Sequence, residues 1–452
     1  MSGTNLGIKT AVVSLLGTVL CSCASGDVDA PAQSIPSIPT PFFPEKKVVE
    51  TPKEQATTIT TNKKFYTDNE VYREIAEGVA RRGRLSSEYQ VIGARYNHEA
   101  FRRSILPQIT PVASVDDIGN VIGRLQIEQV IFDGGRFRAG GRVLDAEQAL
   151  AFADYAIQYN ERVGVAIDAY LQQDMYRALA DVSNDISARY QKLKSKAQQR
   201  LDGGIGRKSE LSLFELRQFE AEAEQARDIA ELEAVKLRLT KLAGKSFDDP
   251  PPMMVFEGEE SAVPPMVARA VAESQRAAGE LHSERAERLP RISLRGSVGS
   301  GTNQGLGFDD RVNSFSAGVQ LSRPLSWGRD FGLKAAAAEA RAARAVVEEA
   351  RYDAEVELNT LNLRIANLTA QLVKSENLLS QAKARVDGFE EQFLGGAVTI
   401  VEAVGIIDTY RRIVRSQVET RFALLSAQRE KVQLLGLFGP YTTSAVDQRS
   451  SL

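Results

Sequence analysis

Few side chains in this sequence are equipped for covalent or metal chemistry. The two histidines, His98 and His282, stand in separate segments, and both cysteines, Cys21 and Cys23, lie close to the start of the chain. The body therefore has no means of assembling a three- or four-ligand His/Cys zinc site. A Ser/His/Asp constellation is equally out of reach. Gly299-Ser300-Gly301 and Gly305-Leu306-Gly307 have the look of phosphate loops, but they follow a strand-like run and lead into a polar loop, not a helix, so they read as a turn. We expect no catalytic residue, no cofactor and no metal. With 56 Lys+Arg against 59 Asp+Glu, no basic excess recommends a nucleic-acid partner.

If the residues do not react, their arrangement must carry the function. Met1 to Lys9 is polar with one positive charge, and Thr10 to Leu20 is an apolar run too short to cross a bilayer as a helix, so residues 1–22 read as a signal peptide. Leu20-Cys21-Ser22-Cys23 resembles a bacterial lipobox, which makes Cys23 the expected site of acylation; plain export with incidental cysteines is the alternative. Ala24 follows Cys23 where an Asp would not suit sorting to the outer membrane. Six of the 16 prolines fall between Pro31 and Pro52, so residues 23–65 read as an extended lipidated tether or simply a flexible leader.

No proline occurs between Pro111 and Pro250 or between Pro324 and Pro440, and long helices fit both gaps. In the second, Ala354, Leu358, Leu361, Ile365, Leu368 and Leu372 alternate steps of four and three, continuing at Leu379 and Val386. Met175, Leu179, Val182, Ile186, Tyr190 and Leu193 stand at similar spacing in the first. Each run is broken by glycine, at Gly203-Gly204-Ile205-Gly206 and Gly395-Gly396, and a second helix follows with Ser209 or Thr399 near its start. The spacing predicts helical hairpins: helices over 139–202 and 210–243 around a turn at 203–209, and over 331–394 and 400–437 around a turn at 395–399. A 64-residue helix is about 95 Å long. Its apolar stripe must meet other long helices.

Ahead of each long helix lies a pair of alternating segments, over 105–117 and 120–132, and over 290–299 and 314–325. Ile109, Pro111, Ala113 and Val115 share one face, and Val121, Gly123, Leu125 and Ile127 another. Ile292, Leu294, Gly296 and Val298 follow the same pattern, as do Phe315, Ala317, Val319 and Leu321. Each has the length of a tilted membrane-spanning strand. Alternation alone also fits soluble hairpins with one buried face. The bilayer is favoured because no further helix or sheet is left to cover the apolar faces, and because Phe132, Phe137, Trp327 and Phe331 near the strand ends suit an interfacial girdle.

The halves repeat. Leu106-Pro107 matches Leu289-Pro290, Phe132-Asp133-Gly134-Gly135 matches Leu325-Ser326-Trp327-Gly328, and Gly206-x-x-Ser209 matches Gly396-x-x-Thr399. Residues 66–243 form the first repeat, 244–265 an irregular joint with Pro250-Pro251-Pro252, 266–440 the second repeat, and 441–452 a tail. Four strands are too few to close a spanning barrel, so several chains must share one; three would supply twelve strands and bundle the long helices into a tube.

On these features the chain resembles the TolC family of outer-membrane factors over residues 66–440. The likeness rests on the duplication, the Leu-Pro before each first strand, Phe132-Asp133-Gly134-Gly135, and the turn Leu394-Gly395-Gly396-Ala397-Val398-Thr399-Ile400-Val401-Glu402-Ala403. It implies an α+β membrane protein, a homotrimer with a twelve-stranded transmembrane barrel and a coiled-coil periplasmic tunnel. Such a duct has no catalysis of its own, and its hairpin tips dock on a periplasmic membrane-fusion adaptor served by an inner-membrane pump of the RND or ABC type. Multidrug efflux and type I protein secretion are not separated by sequence. By position, Asp387 and Glu390 stand where the family's entrance is narrowed, and i, i+3 spacing puts both on one helix face; a solvated outer face is the competing reading. Lys383 falls where a basic gating residue is expected, while Leu378 replaces the expected aromatic partner. Gly203, Gly204, Gly206, Ser209, Gly395, Gly396 and Thr399 are the expected docking tips. A lipid-anchored periplasmic coiled-coil spacer without a pore remains the alternative from another class, and it requires the apolar strand faces to be buried in protein.

Overall fold

A computed structural model describes residues 65–66, 69–82, 85–115, 121–204, 206–254, 262–303, 310–323, 328–394 and 398–439. The expected signal peptide, the acylation site Cys23, nearly all of the tether, Trp327, Gly395, Gly396, the Gly305-Leu306-Gly307 motif and the tail lie outside these residues. The elements run α1 (Glu70–Arg82), α2 (Ser86–Arg103), β1 (Gln108–Val115), β2 (Val121–Phe132), α3 (Arg136–Asp202), α4 (Lys208–Ala243), α5 (Pro265–Ala286), β3 (Arg291–Asn303), β4 (Asp310–Ser322), α6 (Arg329–Leu394) and α7 (Ile400–Leu434). The order α2-β1-β2-α3-α4 recurs as α5-β3-β4-α6-α7.

Both long helices are uninterrupted. At 67 and 66 residues, α3 and α6 are each about 100 Å long. The start of α3 lies ahead of the apolar stripe because Asp133 supplies its cap: the carboxylate accepts from the backbone N–H groups of Gly135 and Phe137, with Gly135 at φ 90°. At the far end Gly204 takes φ 75°, a left-handed conformation that reverses the chain at little steric cost. A Cβ at Gly206 would sit 2.6 Å from the Leu201 nitrogen, so only glycine lets the turn close on the helix it leaves. In α7 the cap is Thr399, whose hydroxyl accepts from the Glu402 N–H while its own N–H donates to the Glu402 carboxylate at 3.1 Å. Ser209, by contrast, is the second residue of α4 and is exposed.

Helix α3 is central. It packs along α4 and α5, with α2 and α7 against it, while α6 packs mainly on α7 and α5. Two apolar cores are threaded on it. One gathers Tyr72, Ile75, Val163, Ile167, Tyr170, Leu239, Phe247 and Val432, and buried tyrosines pin the joint to it: the Tyr170 hydroxyl donates to the Asp249 carbonyl and Tyr72 to that of Pro252. The other, nearer the turn at Gly204, gathers Ile186, Tyr190, Leu193, Phe214, Val386, Phe393 and Ile407 from four helices.

The strands form one antiparallel sheet in the order β1-β2-β3-β4, leaving β1 and β4 as edges. Its register lines up the four alternations. Ile109 is opposite Ile127, Ile127 opposite Gly296, Gly296 opposite Ala317; one step along, Pro111 meets Leu125, Leu125 meets Val298 and Val298 meets Phe315. All apolar sets therefore share a single face. That face has no helix over it: Phe315 is 78% exposed, Val319 68% and Val298 56%. The opposite face holds Gln126, Glu128, Arg295, Ser297 and Gln320, with Glu128 in ion pairs to Arg291 and Arg295 and Ser297 bonded to Ser316 at 2.8 Å.

Three details depart from the periodicity. Strand β1 starts at Gln108, later than its apolar pattern, because Ser104 to Leu106 complete a turn closed by the Leu106 N–H on the Arg103 carbonyl. A bulge between Val130 and Phe132 carries Phe132 opposite Ile292, onto the apolar face. The expected turn at Gly299-Ser300-Gly301 is instead the middle of a ladder, β3 running to Asn303 and paired on both sides. Glycine is used there for close approach: a Cβ at Gly299 would come within 2.9 Å of the Ser314 hydroxyl and 3.3 Å of the Gly123 carbonyl.

Candidate gate at the hairpin ends

The two hairpins end together. Phe214 of α4 packs edge-on against Phe393 of α6 at 5.5 Å, and the Arg200 guanidinium of α3 lies 5.8 Å from the same Phe393 ring. Gly203, Gly204, Ser209 and Thr399 are exposed at this end, beside Val401 at 74% exposure.

Above the turns, a single arginine organises the charges. Arg189 of α3 is bonded through Nε to Asp185 at 2.9 Å and through Nη1 to Asp387 at 2.9 Å and Glu390 at 2.6 Å, both on α6. Its guanidinium also lies 5.2 Å from the Tyr410 ring centroid on α7. Burial alone would lower the Arg189 pKa, but the hydrogen bonds it donates to Asp185, Glu390 and Asp387 outweigh it and raise the pKa, so the cation is permanent. Lys192 adds a second positive group 3.5 Å from Glu390.

Asp387 and Glu390 do share one helix side, and that side is turned toward α3. Glu390 is buried at 7% exposure, whereas the Asp387 side chain is half exposed. Both acids are therefore paired with Arg189, Glu390 in the interior and Asp387 at its solvated margin. Lys383 is exposed and has no ion-pair partner among the described residues, and Leu378 is exposed as well. Farther from the turns the network continues. The Tyr190 hydroxyl donates to Asp408 at 3.0 Å, Arg411 pairs with Glu224 at 3.2 Å, and Arg415 pairs with Asp228 at 2.9 Å. Burial and the adjoining Asp408 carboxylate push the Tyr190 phenol well up.

Sequence spacing gave no hint that Arg189, Tyr410 and Asp408 tie helices together, because the partners that do so lie about 200 positions away. The one readable signal was the i, i+3 acidic pair, which asks for a cation without saying whose. Of the girdle residues, Phe132 and Phe331 are exposed at the strand ends, the latter with Lys334 5.6 Å from its ring. Phe137 instead stacks on Phe101 of α2 at 4.8 Å, a fit that requires Gly140 beneath it. Among the described residues no cluster of His, Cys, Asp or Glu is arranged to hold a metal ion, and no helix is long and apolar enough to cross a membrane.

Comparison with known proteins places this geometry. Residues 262–439 match the family described as outer membrane efflux protein. No curated protein matches the sequence. Among solved structures, the outer-membrane channel OprN superposes with a TM-score of 0.71 at 18% identity, covering 83% of this chain and 91% of its own. The outer membrane protein VceC from Vibrio cholerae gives 0.73 at 17%, covering 85% and 100%. The Campylobacter jejuni CmeC outer membrane channel gives 0.72 at 13%, covering 94% and 98%. Residues 262–439 are thus similar to the outer membrane efflux protein family, and the chain as a whole has the fold of these outer-membrane channels.

Proposed function

We propose that three copies of this chain form a passive duct through the bacterial outer membrane, driven by a pump elsewhere and without catalysis of its own. The carrying observation is the sheet: one face apolar and uncovered, the other polar and charged, and two free edges. In hydrocarbon an open edge leaves N–H and C=O groups unpaired at several kcal/mol each, so the edges must be joined by other copies. A β2 of 12 residues is about 40 Å long and, tilted by roughly 45°, rises about 28 Å, matching the hydrocarbon core. Exposure of Ile109, Val298, Phe315 and Val319 weighs against the spacer reading, which needs them buried in protein.

The long helices then extend into the periplasm, where the exposed tips meet an adaptor, and Cys23 adds a lipid anchor. Efflux of small molecules is favoured over protein secretion by the description of the matching family and by the channels whose fold this chain shares. Arg189 with Asp387 and Glu390 is the tie that narrows the entrance, since it links α3 and α6 across a stretch where they otherwise scarcely touch.

Single-channel recording of the purified protein in planar bilayers tests the duct; no pore from a correctly folded trimer would retire it. Asp387→Asn with Glu390→Gln should raise conductance and change block by divalent cations. Unchanged conductance would remove the tie from the proposal.

A further inference from the structure

Where β2 passes into α3 and α5 passes into β3, a cavity of about 300 Å³ is lined by Gly134, Gly135, Arg138, Arg142, His282 and Arg285, with Leu289 at its edge. No acidic side chain lines it. Among the described residues Arg138, Arg142 and Arg285 make no ion pair and no side-chain hydrogen bond. Asp133, next to Gly134 in the wall, is taken up by the backbone N–H groups of Gly135 and Phe137. Arg136 is likewise committed, its guanidinium donating to the carbonyls of Glu287 at 3.0 Å and Leu289 at 2.9 Å, which fixes the corner that shapes the cavity. Partial burial, then Arg142 and Arg285, push the His282 imidazole below its ordinary pKa, as expected in a region of positive potential without a counter-ion.

Elsewhere arginines beside this corner are paired with carboxylates, Arg269 with Asp154 and Arg288 with Asp330, whereas these three converge on one space without an acid lining it. Three unpaired guanidinium groups around a concave space make a receptor for an oxyanion, because each offers several N–H donors in a planar fork. Position narrows the choice. Gly134 lies two residues beyond Phe132, the end of β2, and Leu289 two before Arg291, the start of β3, so the cavity begins roughly 7 Å from the end of the apolar face. Headgroup phosphates sit at that depth beside a hydrocarbon core. The exposed Ile131, Phe132 and Leu289 supply apolar surface beside it for an acyl chain. The cavity also lies between α3 and α5, away from the edge strands β1 and β4 where other copies would join.

We infer that this cavity binds the phosphate of an anionic phospholipid from the periplasmic leaflet of the outer membrane, with Arg138, Arg142 and Arg285 as its donors. The inference rests on the duct reading for the orientation of the sheet in the bilayer.

Its test uses the full-length trimer in nanodiscs of phosphatidylcholine with a minor share of phosphatidylglycerol, lipid retention being read by native mass spectrometry. The wild type should retain phosphatidylglycerol preferentially. Combined Arg138→Gln, Arg142→Gln and Arg285→Gln should cut that preference about tenfold or more, a Lys triple should keep most of it, and Arg341→Gln with Arg344→Gln on α6 should leave it intact. All variants should conduct as the wild type does. An undiminished preference in the Gln triple would overturn the lipid site, as would complete displacement of the lipid by excess inorganic phosphate, which would make the cavity a site for free anions. A wild type that retains the lipid but forms no pore would instead count against the duct.

Discussion

Helices α3 and α6 occupy equivalent places in the two repeats and are almost equal in length, yet their surroundings differ. Along α3, Tyr159, Val163, Ile167, Tyr170, Ile186 and Leu193 are buried by neighbours on several sides. Along α6, Leu361, Val386 and Phe393 are buried, while Tyr352, Val356, Leu363 and Val373 remain exposed. Composition does not explain this, since α6 is not the more polar of the two. Duplication copies a helix but not its neighbourhood: α3 is flanked by both halves of the chain, and α6 stands at its margin. An edge helix with a second apolar stripe has the surface that another copy would cover in the proposed trimer, so on that reading the first repeat stabilises the protomer and the second equips it to assemble.

The sharpest contrast comes from placing one charge on each helix. Ile167→Asp buries an unpaired carboxylate in the α3 core and should cost about 4 kcal/mol or more, abolishing the cooperative thermal transition in circular dichroism. Leu363→Asp on α6 should keep the helical signal but lose the trimer in native gels. Equal unfolding by both would dissolve the distinction between core and edge.

Next in size, Val319→Arg on the uncovered sheet face should cost about 2–4 kcal/mol in membrane folding titrations, and Gln320→Arg, one residue on and facing the polar side, should be tolerated. Similar penalties at both positions would mean the two faces are not in different solvents. Arg189→Ala leaves Glu390 buried with only Lys192 nearby and should cost about 2 kcal/mol, a buried-pair penalty reduced for partial exposure. Adding Glu390→Gln should recover part of the loss, and hydrogen exchange should quicken on the α6 side of the turns.

The smallest effect concerns Asp168, on α3 against Arg429 of α7. Burial raises its pKa above the ordinary value near 3.8 despite the arginine. The folded state therefore holds the proton more tightly than the unfolded chain does. This contribution is fully present below the unfolded pKa and is lost as pH rises through the folded one. Asp168→Asn should flatten that part of the stability profile above pH 4, as urea melts across the acid range would record; an unaltered profile would assign the acid dependence to other carboxylates.

Much of this molecule is legible without coordinates, for reasons of local periodicity. Proline-free spans with steps of three and four had to be helices, and glycines at 203, 204 and 206 had to end one. Alternation in four segments called for strands with one apolar face, and the repeated Leu-Pro and Gly-x-x-Ser/Thr pairs exposed the duplication. Where these expectations slipped, a long-range contact had overruled a local rule. Gly299 looked like a turn but is the thin place in a ladder, paired on both sides.

Tertiary structure alone decided who partners whom. Only the register of β1 to β4 put four apolar alternations on a single face, because a slip of one residue would send any of them to the other side. Only packing brought Arg189 to Asp387 and Glu390 across more than the length of a repeat, and gathered Arg138, Arg142 and Arg285 without a carboxylate among them. Periodicity is written along the chain, whereas charge compensation depends on distances in space that no spacing in the sequence encodes.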